Sequence, residues 1–389
     1  HRQARQGLTL ALGFVAVAPL AAVVPHHTGV WLPLHLFLVG GMVGTLSAVT
    51  QMLAITWSSS PPPVRWLAAA QRWSLALGTV AVAVGRERNI EGLTGAGGAA
   101  VVAALVLLAV ILAGIRRTAV TFRYLPAIDA YLLAAVAGLV GGSLGTALAT
   151  GHVAAENLVA FRNAHLSVNI FGLVGMVAAG TLPFFSATQI RSRMAPWATS
   201  GRIRAVVLWL TAATVVMASG HLVKHPAVAA GGLAAYAVGI GAVVALCPRV
   251  TRRQVQWAGP RLWQLAAGVA WWLAMTLVLA VQFATGRGYD GPVLRALAVG
   301  GYAQILVASL AYLGPVLHRG GNRTLAGRFA LTRSWGSLVA GNVAAACALA
   351  DASVALAAVL GIWLVVIAAR AVRLFTGDKR PTPLPAGGD

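Results

Sequence analysis

The sequence predicts an all-α polytopic membrane bundle of about twelve transmembrane helices with both termini cytoplasmic. Three observations carry that prediction. The first is composition. Of 389 residues, 59% are hydrophobic and 10% charged, whereas soluble domains carry roughly 25% charged residues. Mean hydropathy is +0.80. The second is pattern: the apolar runs are continuous and do not alternate, which excludes a transmembrane β-barrel. The third is the sidedness of the charge, which emerges once the spans are placed.

A helix needs about 20 apolar residues to cross a bilayer. Runs of that kind fall at 7–25, 32–57, 66–85, 97–115, 125–149, 158–187, 203–220, 227–247, 261–284, 292–317, 329–350 and 352–372. The first follows a basic stretch, but it continues to Val24 without a cleavage signal, so it reads as a retained helix. Turn signals separate the runs: Ser58-Ser59-Ser60-Pro61-Pro62-Pro63, Gly85-Arg86-Glu87-Arg88-Asn89, and Gly286 to Pro292. The break near Asp351 is the tightest. Residues 1–380 thus read as one transmembrane domain, and the Pro/Gly-rich tail 381–389 as disordered.

With the N-terminus inside, 23 of the 29 Lys and Arg fall in cytoplasmic segments and six outside. Cytoplasmic loops attract Lys and Arg, and every predicted inner loop obeys. A net charge of +21 is therefore a topology signal and an attraction for anionic lipid. Nucleic acid is not among the expected partners. The expected location is a bacterial cell (plasma) membrane, crossed many times.

Several chemistries are absent from the sequence. There is no Gly-rich phosphate loop followed by Lys-Ser/Thr, no HExxH and no CxxC. The two cysteines, Cys247 and Cys347, lie in different spans and read as small buried residues. The eight acidic residues form no intramembrane pair of the sort that marks an ion-coupled carrier. Glycines recur at close spacing, as at 138, 141, 142 and 145, which lets membrane helices approach closely.

The histidines are the chemical signal. Of nine, seven fall at the predicted outer side: His26, His27, His35, His152, His165, His221 and His225. His1 and His318 fall inside. A histidine within a membrane span is costly and marks a ligand, proton or partner site, and imidazole suits haem iron, copper and zinc. His35, His165 and His221 are the candidate cofactor ligands. His165, His221 and His225 are the candidate metal ligands, the last two sharing a face if the helix runs that far. Other polar groups within spans are Gln51, Asn169, Gln282, Gln304 and Asn342, which hydrogen-bond neighbouring helices in the simplest reading. Asp129 reads as an interfacial residue close to Arg123, or as the start of a proton path.

Three segments, LHLFLVGGMVGTLSAVTQM, AHLSVNIFGLVGMVAAGTLPFF and GYAQILVASLAYLGPVL, resemble a group of actinobacterial membrane proteins. That group includes the membrane region attached to some multicopper oxidases and copper nitrite reductases. The order of features is also similar to subunit I of the haem–copper oxidases, whose ligand histidines lie near the outer ends of helices two, six, seven and ten. His35, His165 and His221 match the first three. Helix ten has no histidine in its outer part, and His318 lies past its inner end; oxygen reduction at a haem–copper centre is therefore not implied. The NnrS family, tied to nitric oxide stress, is similar in topology. The resemblance implies haem b and copper as cofactors. The implied partner is an extracytoplasmic copper protein or cupredoxin domain, beside the lipid bilayer and further copies of the chain. Three function classes stay open: a redox membrane protein, a carrier for a small solute or copper ions, and a structural subunit of a membrane complex.

Overall fold

The computed structural model describes residues 2–22, 24–317 and 322–376. His1, His318 and the tail 381–389 lie outside these residues. Among them all regular structure is helical. In order the helices are α1 (Arg2–Ala22), α2 (Trp31–Ser58), α3 (Arg65–Glu87), α4 (Glu91–Arg117), α5 (Leu125–Ala149) and α6 (Ala155–Gln189). There follow α7 (Ser200–Leu222), α8 (Pro226–Ala245), the short α9 (Arg252–Ala258), α10 (Pro260–Ala284) and α11 (Gly291–Leu317). The chain closes with α12 (Asn322–Thr332), α13 (Trp335–Leu349) and α14 (Ser353–Thr376).

Eleven of the described helices are long and apolar enough to cross a membrane. Away from their ends they turn Leu77, Val106, Val110, Val215 and Val365 outward and exposed. A water-soluble fold does not present so much apolar surface, whereas lipid accepts it; the protein is a multi-pass membrane protein. The span expected at 329–350 differs. It is broken at Arg333–Ser334, where the Ser334 hydroxyl accepts the Ser337 N–H at 3.1 Å and starts a new helix, α13. With 15 residues, α13 reaches about 23 Å at 1.5 Å per residue.

The chain separates into two compact units. Unit 1 comprises residues 1–185, 194–247 and 283–286; unit 2 comprises 186–193, 248–282 and 287–389.

Unit 1 is built on antiparallel hairpins with small residues at the seam. Between α3 and α4 the loop turns on Asn89 (φ 53°), a residue type that tolerates the left-handed region. The two helices then run so close that a Cβ on Gly97 would lie 2.5 Å from the Val82 backbone nitrogen. A second hairpin, α7 and α8, repeats the device: Lys224 turns at φ 56°, and a Cβ on Gly220 would lie 2.5 Å from the Ala229 nitrogen. Successive loops gather at alternate ends. At one end Ser60 Oγ donates to the Ile115 carbonyl at 2.8 Å, and the Val120 and Thr121 N–H groups donate to Ser58. Asp129 there accepts from Arg116 Nε at 2.5 Å and from Arg204 Nε at 2.9 Å. These two, at the end of α4 and the start of α7, are the partners of Asp129. At the opposite end Glu87 accepts from the N–H groups of His27 (2.5 Å) and Thr28 (3.2 Å), and Arg86 donates to the Ala149 carbonyl at 3.4 Å.

Unit 2 is held by buried amides. Gln304, fully buried on α11, donates to the Gly300 carbonyl at 3.1 Å and accepts from Asn342 on α13 at 3.4 Å. Asn342 in turn accepts from Trp271 Nε1 on α10 at 2.9 Å. The Gln264 amide donates to Ser337 Oγ at 3.1 Å. In a medium that offers no water, such partners are the only ones these groups have. Arg295 near the start of α11 pairs with Asp351 in the turn between α13 and α14.

Three helices depart from α-helical winding. Leu36–Val43 in α2, Val168–Gly175 in α6 and Leu297–Ala303 in α11 are π-helical. Such segments are rare and concentrate at functional sites. Two of the three begin within three residues of His35 or His165.

Candidate functional site: a histidine pair in unit 1

His35 ends the α-helical first turn of α2, immediately before the π segment. Its ring stacks on Trp31, centroids 4.0 Å apart, and its Nδ1 donates to the Trp31 carbonyl at 2.8 Å. His165 sits on α6, three residues before the start of the second π segment. Its Nδ1 donates to the Gly141 carbonyl on α5 at 2.8 Å. Asn169, one turn later, donates to the His165 carbonyl at 2.8 Å and lies 3.2 Å from its Nδ1. A carbonyl oxygen can only accept, so the 2.8 Å contact to Gly141 requires the proton on Nδ1.

Both rings thus commit Nδ1–H to a backbone carbonyl and leave Nε2 as the lone-pair nitrogen. This is the arrangement in which protein imidazoles bind metals: the second nitrogen is tied to a carbonyl, which fixes tautomer and ring orientation. His35 and His165 are near enough that a proton gained by one would be felt by the other.

Glycine makes the room. A Cβ at Gly145 would lie 2.6 Å from His165 Cε1 and 2.9 Å from Nδ1; one at Gly141 would lie 2.3 Å from the Asn169 amide nitrogen. One helical turn apart on α5, these two glycines form a cradle for the imidazole and the amide. Gly145→Val is expected to push the ring off the Gly141 carbonyl and cost about 1–3 kcal/mol, the usual range for overpacking. In a His165→Ala background the same substitution should cost much less, a coupling that a double-mutant unfolding cycle measures.

The remaining predicted residues lie elsewhere. His221 is buried at the end of α7 and packs on Phe283, centroids 4.6 Å apart. His225 does not share its helix face: α7 stops at Leu222, Lys224 turns left-handed, and His225 becomes the exposed cap of α8, its N–H donating to Gly220 at 2.8 Å. His26 and His27 gather around Glu87 and Asn89, and His152 bonds Thr150 at 2.8 Å. Gln51 donates to Gln71 at 3.2 Å, and Gln282 to Asp290 at 3.4 Å. Among the described residues no three His, Cys, Asp or Glu side chains form a group able to hold a metal ion. The donor set at the site is a pair of imidazoles. Copper sites are usually completed by three or more donors, whereas haem b can be held by one histidine from each of two helices.

Trp31, Gly141 and Gly145 escape a reading that looks for ligands. Their one signal in the sequence is spacing, four residues from Trp31 to His35 and four between the glycines. Comparison with family models and with curated proteins yields no match.

Proposed function

We propose that this protein is an integral membrane redox protein that binds haem b through His35 and His165. In this reading it passes electrons to an extracytoplasmic copper protein or handles nitric oxide. The observation that carries the proposal is the matched state of the two imidazoles: each has Nδ1 on a carbonyl, Nε2 left as the lone-pair nitrogen, and a π-helical segment beside it. When bound, the haem supplies one-electron chemistry. The chain's own contribution is to orient the imidazoles, through Trp31 and the Gly141 carbonyl, and to keep them among apolar helices. Copper remains part of the proposal through the partner alone, because His165, His221 and His225 are not brought together.

The same proposal places the chain in a plasma membrane with both ends cytoplasmic and twelve crossings, α13 being the shortest. Two things support it: the 23-to-six division of basic residues, and the way alternate loops of unit 1 meet at opposite ends. The Arg295–Asp351 pair, which joins the start of α11 to the turn after α13, is in keeping with a crossing by α13.

An absorption spectrum with iron and copper analysis of the purified full chain tests the function. The expected result is a Soret band with about one iron per chain, as one haem held by two histidines would give. A colourless, metal-free protein that still takes up no haem on titration overturns it. Solute uptake in proteoliposomes by such a protein would establish the carrier reading instead.

A further inference from the structure

A second concentration of unusual chemistry lies in unit 2, and it stands independently of the haem reading. Arg261, in the first turn of α10, is 2% exposed, and among the described residues none of its three guanidinium nitrogens has a hydrogen-bond partner. Its Cζ lies 4.7 Å from the Phe329 ring centroid, 4.8 Å from Trp257 and 5.4 Å from Tyr312. Arg191 Cζ also lies over the Trp257 ring, 4.2 Å from its centroid. Arg333 donates through Nη2 to the Trp257 carbonyl and keeps a buried, unpartnered Nε.

Three guanidinium groups therefore surround one aromatic cluster, near enough to repel one another. Ring faces attract a cation, but they leave most of its in-plane N–H donors unsatisfied. A buried charge without a partner is among the least tolerable groups in a protein. The α10 dipole adds to the difficulty, since a helix start repels cations and attracts anions. Among the described residues of unit 2 no carboxylate relieves it. The described acidic residues of unit 2 are Asp290 and Asp351, which bond Gln282 and Arg295.

We infer that Arg191, Arg261 and Arg333, walled by Trp257, Tyr312 and Phe329, form a binding site for a phosphate group. Guanidinium forks match the paired oxygens of phosphate and deliver charge-assisted hydrogen bonds. The buried Arg261 supplies unclaimed donors at the bottom, and the exposed Arg191 forms the rim. Either the headgroup of an anionic phospholipid or free phosphate offers this chemistry.

The test uses the full chain, delipidated in a non-ionic detergent, with thermal unfolding followed at constant ionic strength. One arm adds dioleoyl phosphatidylglycerol against dioleoylglycerol, which has the same acyl chains and no phosphate. The other adds sodium phosphate against sodium chloride. Phosphate-dependent stabilisation is expected, about tenfold weaker in affinity in Arg191→Gln, as loss of one charge-assisted contact implies, and absent in Arg261→Gln. A response to the lipid alone assigns a headgroup site; a response to sodium phosphate as well assigns a soluble anion. No response to either phosphate source, or a response undiminished in both variants, overturns the inference. Should Arg261→Gln fail to fold, the rim variant still decides.

Discussion

Haem content is expected to fall at least about tenfold in His165→Ala, since metal affinity changes by 10–100-fold even when only a supporting partner of a ligand is lost. The argument runs through Nε2. In the parent protein the Gly141 carbonyl holds Nδ1–H at 2.8 Å, which leaves Nε2 as the nitrogen that would meet a haem iron. Alanine leaves the Gly141–Gly145 cradle open and takes the ligand away. Free imidazole, added at millimolar concentration, should then re-enter the cradle and restore the Soret band in part; a purely structural histidine would not be rescued spectroscopically. His35→Ala should behave alike, whereas His221→Ala, which removes a ring packed on Phe283, should keep its haem. A His221 variant that loses haem as fully as the other two would show that the pair is wrongly chosen.

The second large effect concerns the fold. Gly97→Val is expected to destabilise unit 1 by about 3 kcal/mol or more, the upper end of overpacking costs. The new Cβ would meet the Val82 nitrogen at 2.5 Å and the Gly78 carbonyl oxygen at 2.9 Å. These are backbone atoms, so no side chain can turn aside, and α3 and α4 must part along their seam. Gly92→Val on the same helix meets nothing within 4 Å and should stay within about 0.5 kcal/mol of the parent, as open surface positions do. Equal losses in the two variants, measured by unfolding in mixed detergent, would mean that helix propensity rather than the seam sets the cost.

The membrane helices were legible because a bilayer demands length and apolarity, and both are written residue by residue in stretches such as that of α4. Loop ends were legible for the same reason. The break at Arg333–Ser334 was not, because the apolar run resumes on both sides and the interruption is a cap rather than a change of composition. At the site, His35 and His165 stood out as costly residues, but the loss of His225 from the helix face turned on one left-handed residue, Lys224, whose type gives no warning. Arg261 counted in the sequence as one more basic residue near a helix end. Its burial depends on Trp257, one turn before it, and on rings from α11 and α12, which are far from it along the chain. The π segments left no mark either, since they arise from which carbonyl an N–H selects and not from residue propensity.

Those wide turns carry a consequence for descent. A π segment inside an α-helix is equivalent to an inserted residue, so deleting one residue from 36–43 would restore regular winding. It would also swing everything beyond by about 100°, the angle of one α-helical step. Gly40, Gly41 and Gly44, which now press against Phe14, Val15 and Ala11 of α1, would then face elsewhere while His35 stayed in place. A kindred chain lacking this feature should therefore align with a single-residue gap in each of the three helices, and the gap would date the acquisition of the site.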